Sequence, residues 1–246
     1  MTRPPSPFVT DRFGPGPIGP AVRALVAANV AGFFLTLLVP SLAVPLGLIP
    51  AAVIERLWVW QLVTYMFQHG GLMHLLFNML ALWMFGVDLE RLWGTRFFTR
   101  YYFVAGMGAG LTTILVSLLP FGFAEPLYVT LTVGASGAIY GLLLAYALTW
   151  PNHTIYYIVF PIPAKYFVLI VGAIAFFSSV GGSQSGVAHI THLGGIAAGY
   201  LYLVARRGAL ASGIRSQFLR WRLNRLRKRF NVHDGGRSDG PSRRIH

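Results

Sequence analysis

The 246-residue chain contains no cysteine. That excludes disulfide bridges and thiolate metal sites, and it leaves the redox compartment undetermined. Charge is also scarce: 11% of residues are Asp, Glu, Lys or Arg, where a soluble domain carries about a quarter. Acidic residues are the rarest, seven Asp and Glu against 20 Lys and Arg. An ordinary water-soluble domain is thereby excluded. What is present instead is apolar, 55% of the chain by residue type.

Six apolar runs reach or approach the roughly 20 residues a helix needs to cross a bilayer. They cover 21–39, 73–91, 97–119, 135–150, 164–181 and 188–205. The fourth is short, and its glycine-rich start at 134–138 predicts a helix that begins below the outer surface. The pattern predicts an all-α polytopic membrane protein whose embedded domain spans residues 21–206. Residues 1–20, rich in Pro and Gly, read as a disordered lead-in. The first apolar run starts late and is followed by five more, so it reads as a retained helix and not as a cleaved signal.

The basic residues orient the chain. Only Arg56 falls in the segments joining runs 1–2, 3–4 or 5–6, and the other 19 Lys and Arg lie on the opposite side. The positive-inside rule then places both termini in the cytoplasm. The net charge of +13 is concentrated in the tail, with twelve basic and two acidic residues from Arg206 onward. Within the 207–246 tail, Leu219, Leu223, Leu226 and Phe230 recur at helical spacing among arginines. A basic amphipathic helix beside a membrane is expected to lie on anionic lipid. Partner binding is the second reading of the tail, and nucleic acid is not expected as a partner.

Polar side chains at membrane depth are costly and point to function. His69, His74 and Asn78 lie near the outer end of run 2, Ser136 at that of run 4, and His189 and His192 at that of run 6. His74 and Asn78 share a helix face, as do Ser136 and Tyr140. Gly137 and Gly141 follow Ser136, and Gly195 and Gly199 follow His192, each a small-xxx-small pair that lets two helices touch at backbone distance. If these faces meet, Ser136 and His192 come within hydrogen-bond reach. A serine needs such a base to act as a nucleophile, and acyl transfer needs donors for the oxyanion. The Ser136 N–H, the His74 imidazole and the Asn78 amide are the candidates. No carboxylate lies at that depth, so a Ser-His-Asp triad is not expected. Two other readings stand beside this one: a metal cluster of His69, His74, His189 and His192, and polar residues that merely hold helices together.

The motifs in combination resemble the rhomboid family of intramembrane serine proteases, in its six-helix bacterial form. The likeness covers roughly residues 20–206. The family's GxSG matches Gly134-Ala135-Ser136-Gly137, its HxxxN matches His74 and Asn78, and its HxxGxxxG matches His192, Gly195 and Gly199. Its tyrosine one turn after the serine matches Tyr140, and its GxxxExxxG matches Gly86, Glu90 and Gly94. Where many relatives have Trp-Arg in the first loop, this chain has Trp60-Gln61.

The resemblance implies Ser136 as nucleophile, His192 in preference to His189 as base, His74 and Asn78 at the oxyanion, and Tyr140 stacked on the base. It implies no cofactor and no metal. It also implies a serine-type endopeptidase that cuts a single-span membrane protein near the outer face, from a multi-pass position in the cell's inner (plasma) membrane. The rival functions are a non-catalytic rhomboid-like protein that binds membrane clients and a small-ion or metal transporter.

Overall fold

Proline opens several of the helices. Pro20 stands at the first position of α1 (Pro20–Leu38) and Pro50 at that of α3 (Pro50–Arg56), where its missing N–H costs nothing. Between them lies the short α2 (Ala43–Leu46), and α4 (Gln61–Thr64) follows. Two long helices come next, α5 (Leu72–Trp93) and α6 (Thr95–Ser117). Gly94 alone separates them, at φ +75°, a conformation that favours glycine. The order continues with α7 (Glu125–Val129), α8 (Ser136–Thr149), strands β1 (Thr154–Tyr157) and β2 (Phe160–Pro163), α9 (Ala164–Val180) and α10 (Gly186–Arg206). The computed structural model describes residues 16–120, 124–157, 160–180 and 186–206. Most of the lead-in and the whole 207–246 tail, with its expected amphipathic helix, lie outside the described residues.

Six of these helices have 14 residues or more, and they coincide with the six apolar runs. Two of them, Pro20–Leu38 and Leu72–Trp93, are long and apolar enough to cross a membrane by length and composition. Helix α8 is shorter. Its 14 residues span about 21 Å at 1.5 Å per residue, less than the roughly 30 Å hydrocarbon core.

The expected all-α class needs one amendment, since β1 and β2 form an antiparallel hairpin with Ile155 opposite Ile162. Its residues are β-branched, aromatic and proline, which suit an isolated two-stranded ribbon better than a helix. The hairpin connects α8 to α9 and leaves the site below unaffected. At its approach, the Tyr146 hydroxyl is hydrogen-bonded to His153 Nδ1 at 2.7 Å.

Helix α6 is the centre of the bundle. It packs along α8 and also touches α1, α3, α4, α5 and α7. Phe98, Tyr101, Tyr102, Leu82, Leu89 and Leu142 are fully buried around it. Small residues make this closeness possible: a Cβ on Gly141 would stand 2.6 Å from the Ala105 Cβ. Large apolar side chains remain exposed around the perimeter, including Phe77 on α5, Leu111 on α6, Leu169 on α9 and Leu201 on α10. Only 22% of the apolar window of α1 is buried, unlike the core helix of a soluble protein. Such a surface is what lipid covers. The core belongs to one compact unit that runs to Leu203; a second begins at Val204, of which residues 204–206 are described.

Glu90 fixes the start of α1. The residue is 4% exposed, and its carboxylate accepts the backbone N–H groups of Ala21 and Val22 at 2.9 Å each, and the Thr95 hydroxyl at 2.9 Å. Two otherwise orphaned donors at a helix N-terminus are thus met by a negative charge, the sign the helix dipole favours there.

Candidate active site

The site starts from an extended segment anchored at three points. Leu48 and Thr132 exchange both backbone hydrogen bonds, at 2.9 and 2.8 Å, and the Gly134 N–H donates to the Tyr65 carbonyl at 2.9 Å. Gly134 then turns with φ +128°, where a side chain would be strained. A Cβ there would also stand 2.8 Å from His74 Cε1 and 2.9 Å from His74 Nε2. Glycine is required twice over: for the turn, and to admit the imidazole beside Ser136. Ser136 is the first residue of α8, and no side chain caps that helix. Its first N–H groups therefore have no intrahelical acceptor.

Helices α8 and α10 approach to backbone contact. A Cβ on Gly195 would collide with the Gly137 carbonyl, and one on Gly199 would lie 3.3 Å from Gly141 Cα. The two small-residue faces are therefore in register, Gly137 on Gly195 and Gly141 on Gly199. That register brings His192 Nε2 to 2.8 Å from Ser136 Oγ. The Tyr140 ring lies flat on the His192 ring, with centroids 4.1 Å apart and planes 8° apart. Ser136, His192 and the four helix-contact glycines thus meet where their spacing predicts, and Tyr140 lies on His192 as the resemblance implies.

His74 reaches the same place from α5. Its Nδ1 accepts the Gly70 N–H at 3.4 Å, so its proton belongs on Nε2, the nitrogen beside Gly134. Asn78 is buried below it, and one N–H of its amide donates to the His74 carbonyl at 2.8 Å. The other N–H is the one available to an oxyanion.

His69 is 6% exposed and meets His74 edge-on, centroids 5.0 Å apart. Burial first, and the His74 ring second, push His69 down to about 4, so it is neutral near pH 7. His189 meets His192 edge-on at 5.9 Å. The four histidines form two pairs, and among the described residues no three of His, Asp or Glu gather as metal ligands.

Three supporting features escape sequence reasoning. Gln61, fully buried, ties the first loop together: its amide N–H groups donate to the Val44 and Pro45 carbonyls at 3.0 and 3.4 Å, and its carbonyl accepts the Ile49 N–H at 3.0 Å. Tyr65 connects that loop to α6, its hydroxyl donating to the Gly106 carbonyl at 2.7 Å. Thr113 of α6 and Thr191 of α10, both buried, are hydrogen-bonded at 2.7 Å, Thr191 standing one residue before His192 in the chain. The available signal was a polar residue in an apolar context at 61, 113 and 191, but spacing alone does not say what each one meets.

Comparison with known proteins bears on the family of the chain. Residues 56–208 match the Rhomboid domain. The chain is 35% identical over 144 residues to Rhomboid protein 1, mitochondrial, of Saccharomyces cerevisiae, covering 55% of this chain and 38% of that protein. It is 30% identical over 163 residues to Rhomboid protease AarA of Providencia stuartii, covering 59% and 55%. Rhomboid protease GluP of Bacillus subtilis is 37% identical over 84 residues, 34% of this chain and 14% of that one. The chain therefore spans at most about half the length of the curated relatives it matches. The domain match covers more than half of the chain, and with the apolar helices it identifies a helical membrane protein that belongs to the rhomboid family, which includes serine proteases acting within membranes.

Proposed function

We propose that this protein is an intramembrane serine endopeptidase working through a Ser136–His192 dyad. The observation that carries the reading is the 2.8 Å contact between His192 Nε2 and Ser136 Oγ at the uncapped start of α8. His192 Nε2 takes the Ser136 proton as Oγ attacks a peptide carbonyl carbon. The oxyanion forms against the Ser136 N–H, His74 Nε2–H and the free N–H of Asn78. His192 then passes its proton to the leaving amine, which departs and leaves an ester on Ser136. Water, deprotonated by His192, hydrolyses the ester and restores the hydroxyl. No cofactor enters these steps.

All six long helices span the membrane in this reading, with both termini cytoplasmic, because the Lys and Arg residues fall on one side. The site then lies toward the outer face. The substrate is a membrane protein with one spanning segment, cut where its helix unwinds enough to expose a carbonyl, preferably after a small residue. The location is the cell's inner (plasma) membrane. The 207–246 tail engages anionic lipid on the inner leaflet and no nucleic acid. One experiment tests the chemistry: purified protein in detergent should take a fluorophosphonate label and cleave a model single-span substrate, and Ser136→Ala should lose both. An unlabelled, inactive wild type overturns the proposal.

A further inference from the structure

We infer that His189 is the positioning residue for His192, holding the ring through one water between the two Nδ1 atoms. The inference rests on the dyad reading above. For Nε2 to accept the Ser136 proton, the neutral His192 ring must carry its own proton on Nδ1. The Nε2 edge of that ring faces Ser136 at 2.8 Å, and Tyr140 covers one face at 4.1 Å. The Nδ1 atom is nevertheless buried with no hydrogen-bond partner among the described residues. A buried, unmet N–H is costly, and it would become more so once the ring takes up the proton from Ser136 and turns positive.

His189 lies three residues earlier on α10, on the same side of the helix. The two rings are edge-to-face, with centroids 5.9 Å apart and planes at 81°. The Nδ1 of His189 is also buried with no partner among the described residues. Two orphaned imidazole nitrogens thus lie on neighbouring rings too far apart for a direct bond. A single water linking two nitrogens spans about 5 Å, a reach that rings with centroids 5.9 Å apart allow, and two polar partners are the minimum a buried water needs. In this arrangement His192 Nδ1–H donates to the water, and the water donates to the lone pair of His189 Nδ1. His189 takes up no proton at any step. It fixes the His192 tautomer and orientation and spreads the charge that forms during attack.

The test compares His189→Leu, which fills the space without an acceptor, with His189→Asn, whose amide oxygen can occupy the Nδ1 position. Turnover and KM on the model substrate, fluorophosphonate labelling rate and melting temperature are measured for both. His189→Leu should lower kcat and labelling about 10- to 100-fold, the range for an outer partner of a functional imidazole, with KM and melting temperature near wild type. His189→Asn should recover to within about 3-fold. Should His189→Leu not fold, His189→Ala read against His189→Asn makes the same comparison. A Leu or Ala variant with wild-type kcat, or an Asn variant as impaired as either, overturns the role of His189 while the dyad stands. A wild type that takes no label fails the dyad reading, and this inference with it.

Discussion

Gly195 of α10 lies against the carbonyl of Gly137 of α8 so closely that not even a methyl group fits between them. The position of His192 depends on this contact, because three residues of rigid helix connect it to Gly195. Gly195→Ala should therefore push α10 outward and separate Nε2 from Oγ. A displacement of about 1 Å can cost 100-fold in rate, so fluorophosphonate labelling should fall by about that factor, with a lower melting temperature. Labelling at the wild-type rate would show that the helices can slide without harm.

The dyad itself gives the sharpest outcome. Ser136→Ala and His192→Ala should each abolish substrate cleavage in detergent. Neither should unfold the protein, because Ser136→Ala removes a single oxygen and His192 is only partly buried. Circular dichroism and melting curves close to wild type, beside a dead enzyme, are the expected pair of results.

His74→Ala and Asn78→Ala separate two kinds of donor. Losing one oxyanion donor typically costs about 100- to 1000-fold in turnover. His74 should show the larger loss, since one Asn78 N–H is already committed to the His74 carbonyl. Labelling of Ser136 should partly survive both changes, because the backbone N–H and the dyad remain. Full turnover in the double variant would remove both residues from the site.

Gln61→Leu addresses the loop. It would leave the part-buried Ile49 N–H and the Val44 carbonyl without the side chain that meets them, a loss at the low end of the range for buried groups. Unmet buried groups cost about 1–3 kcal/mol, which should appear as a lower midpoint in denaturant or thermal unfolding. The dyad contact itself should persist, so activity per folded molecule should change less than stability does.

Truncation after Arg207 removes ten basic residues from the chain. Each contributes on the order of 1 kcal/mol to binding an anionic surface, and salt screens it. Cleavage in detergent should continue near the full-length rate. The isolated tail peptide should bind anionic liposomes, turn helical there and detach as salt rises. A truncated enzyme dead in detergent would make the tail part of the catalytic fold.

Much of this site was legible because membrane depth leaves few polar residues to consider. Ser136, His192, His74 and Asn78 stand out in apolar runs, and the four-residue spacing of the glycines carries the register between α8 and α10. The six helices were legible for the same reason, since long apolar runs set their limits to within a few residues. Features that depend on meeting a distant segment were not. Gln61 finds its partners 12 to 17 residues away, and Thr113 finds Thr191 across 78 residues. The paired strands 154–157 and 160–163 were invisible because each has only four residues, the second carries two prolines, and neither shows a clean alternation. The paired orphan nitrogens of His189 and His192 required coordinates, because spacing places two rings on one helix face without saying which atoms lack partners.

Glu90 grips α1 by its main chain, at the N–H groups of Ala21 and Val22, and a main-chain grip does not depend on what the gripped residues are. The anchor and the sequence it anchors are thus free to evolve separately. Side chains along α1 can drift with the thickness and composition of the host membrane while the attachment stays unchanged. Glu90 has no such freedom: shortened to Asp it would miss two donors at once, and neutralised to Gln it would offer one acceptor where two are used. A family of such chains should accordingly vary widely across the first helix and hardly at all at the carboxylate that holds it.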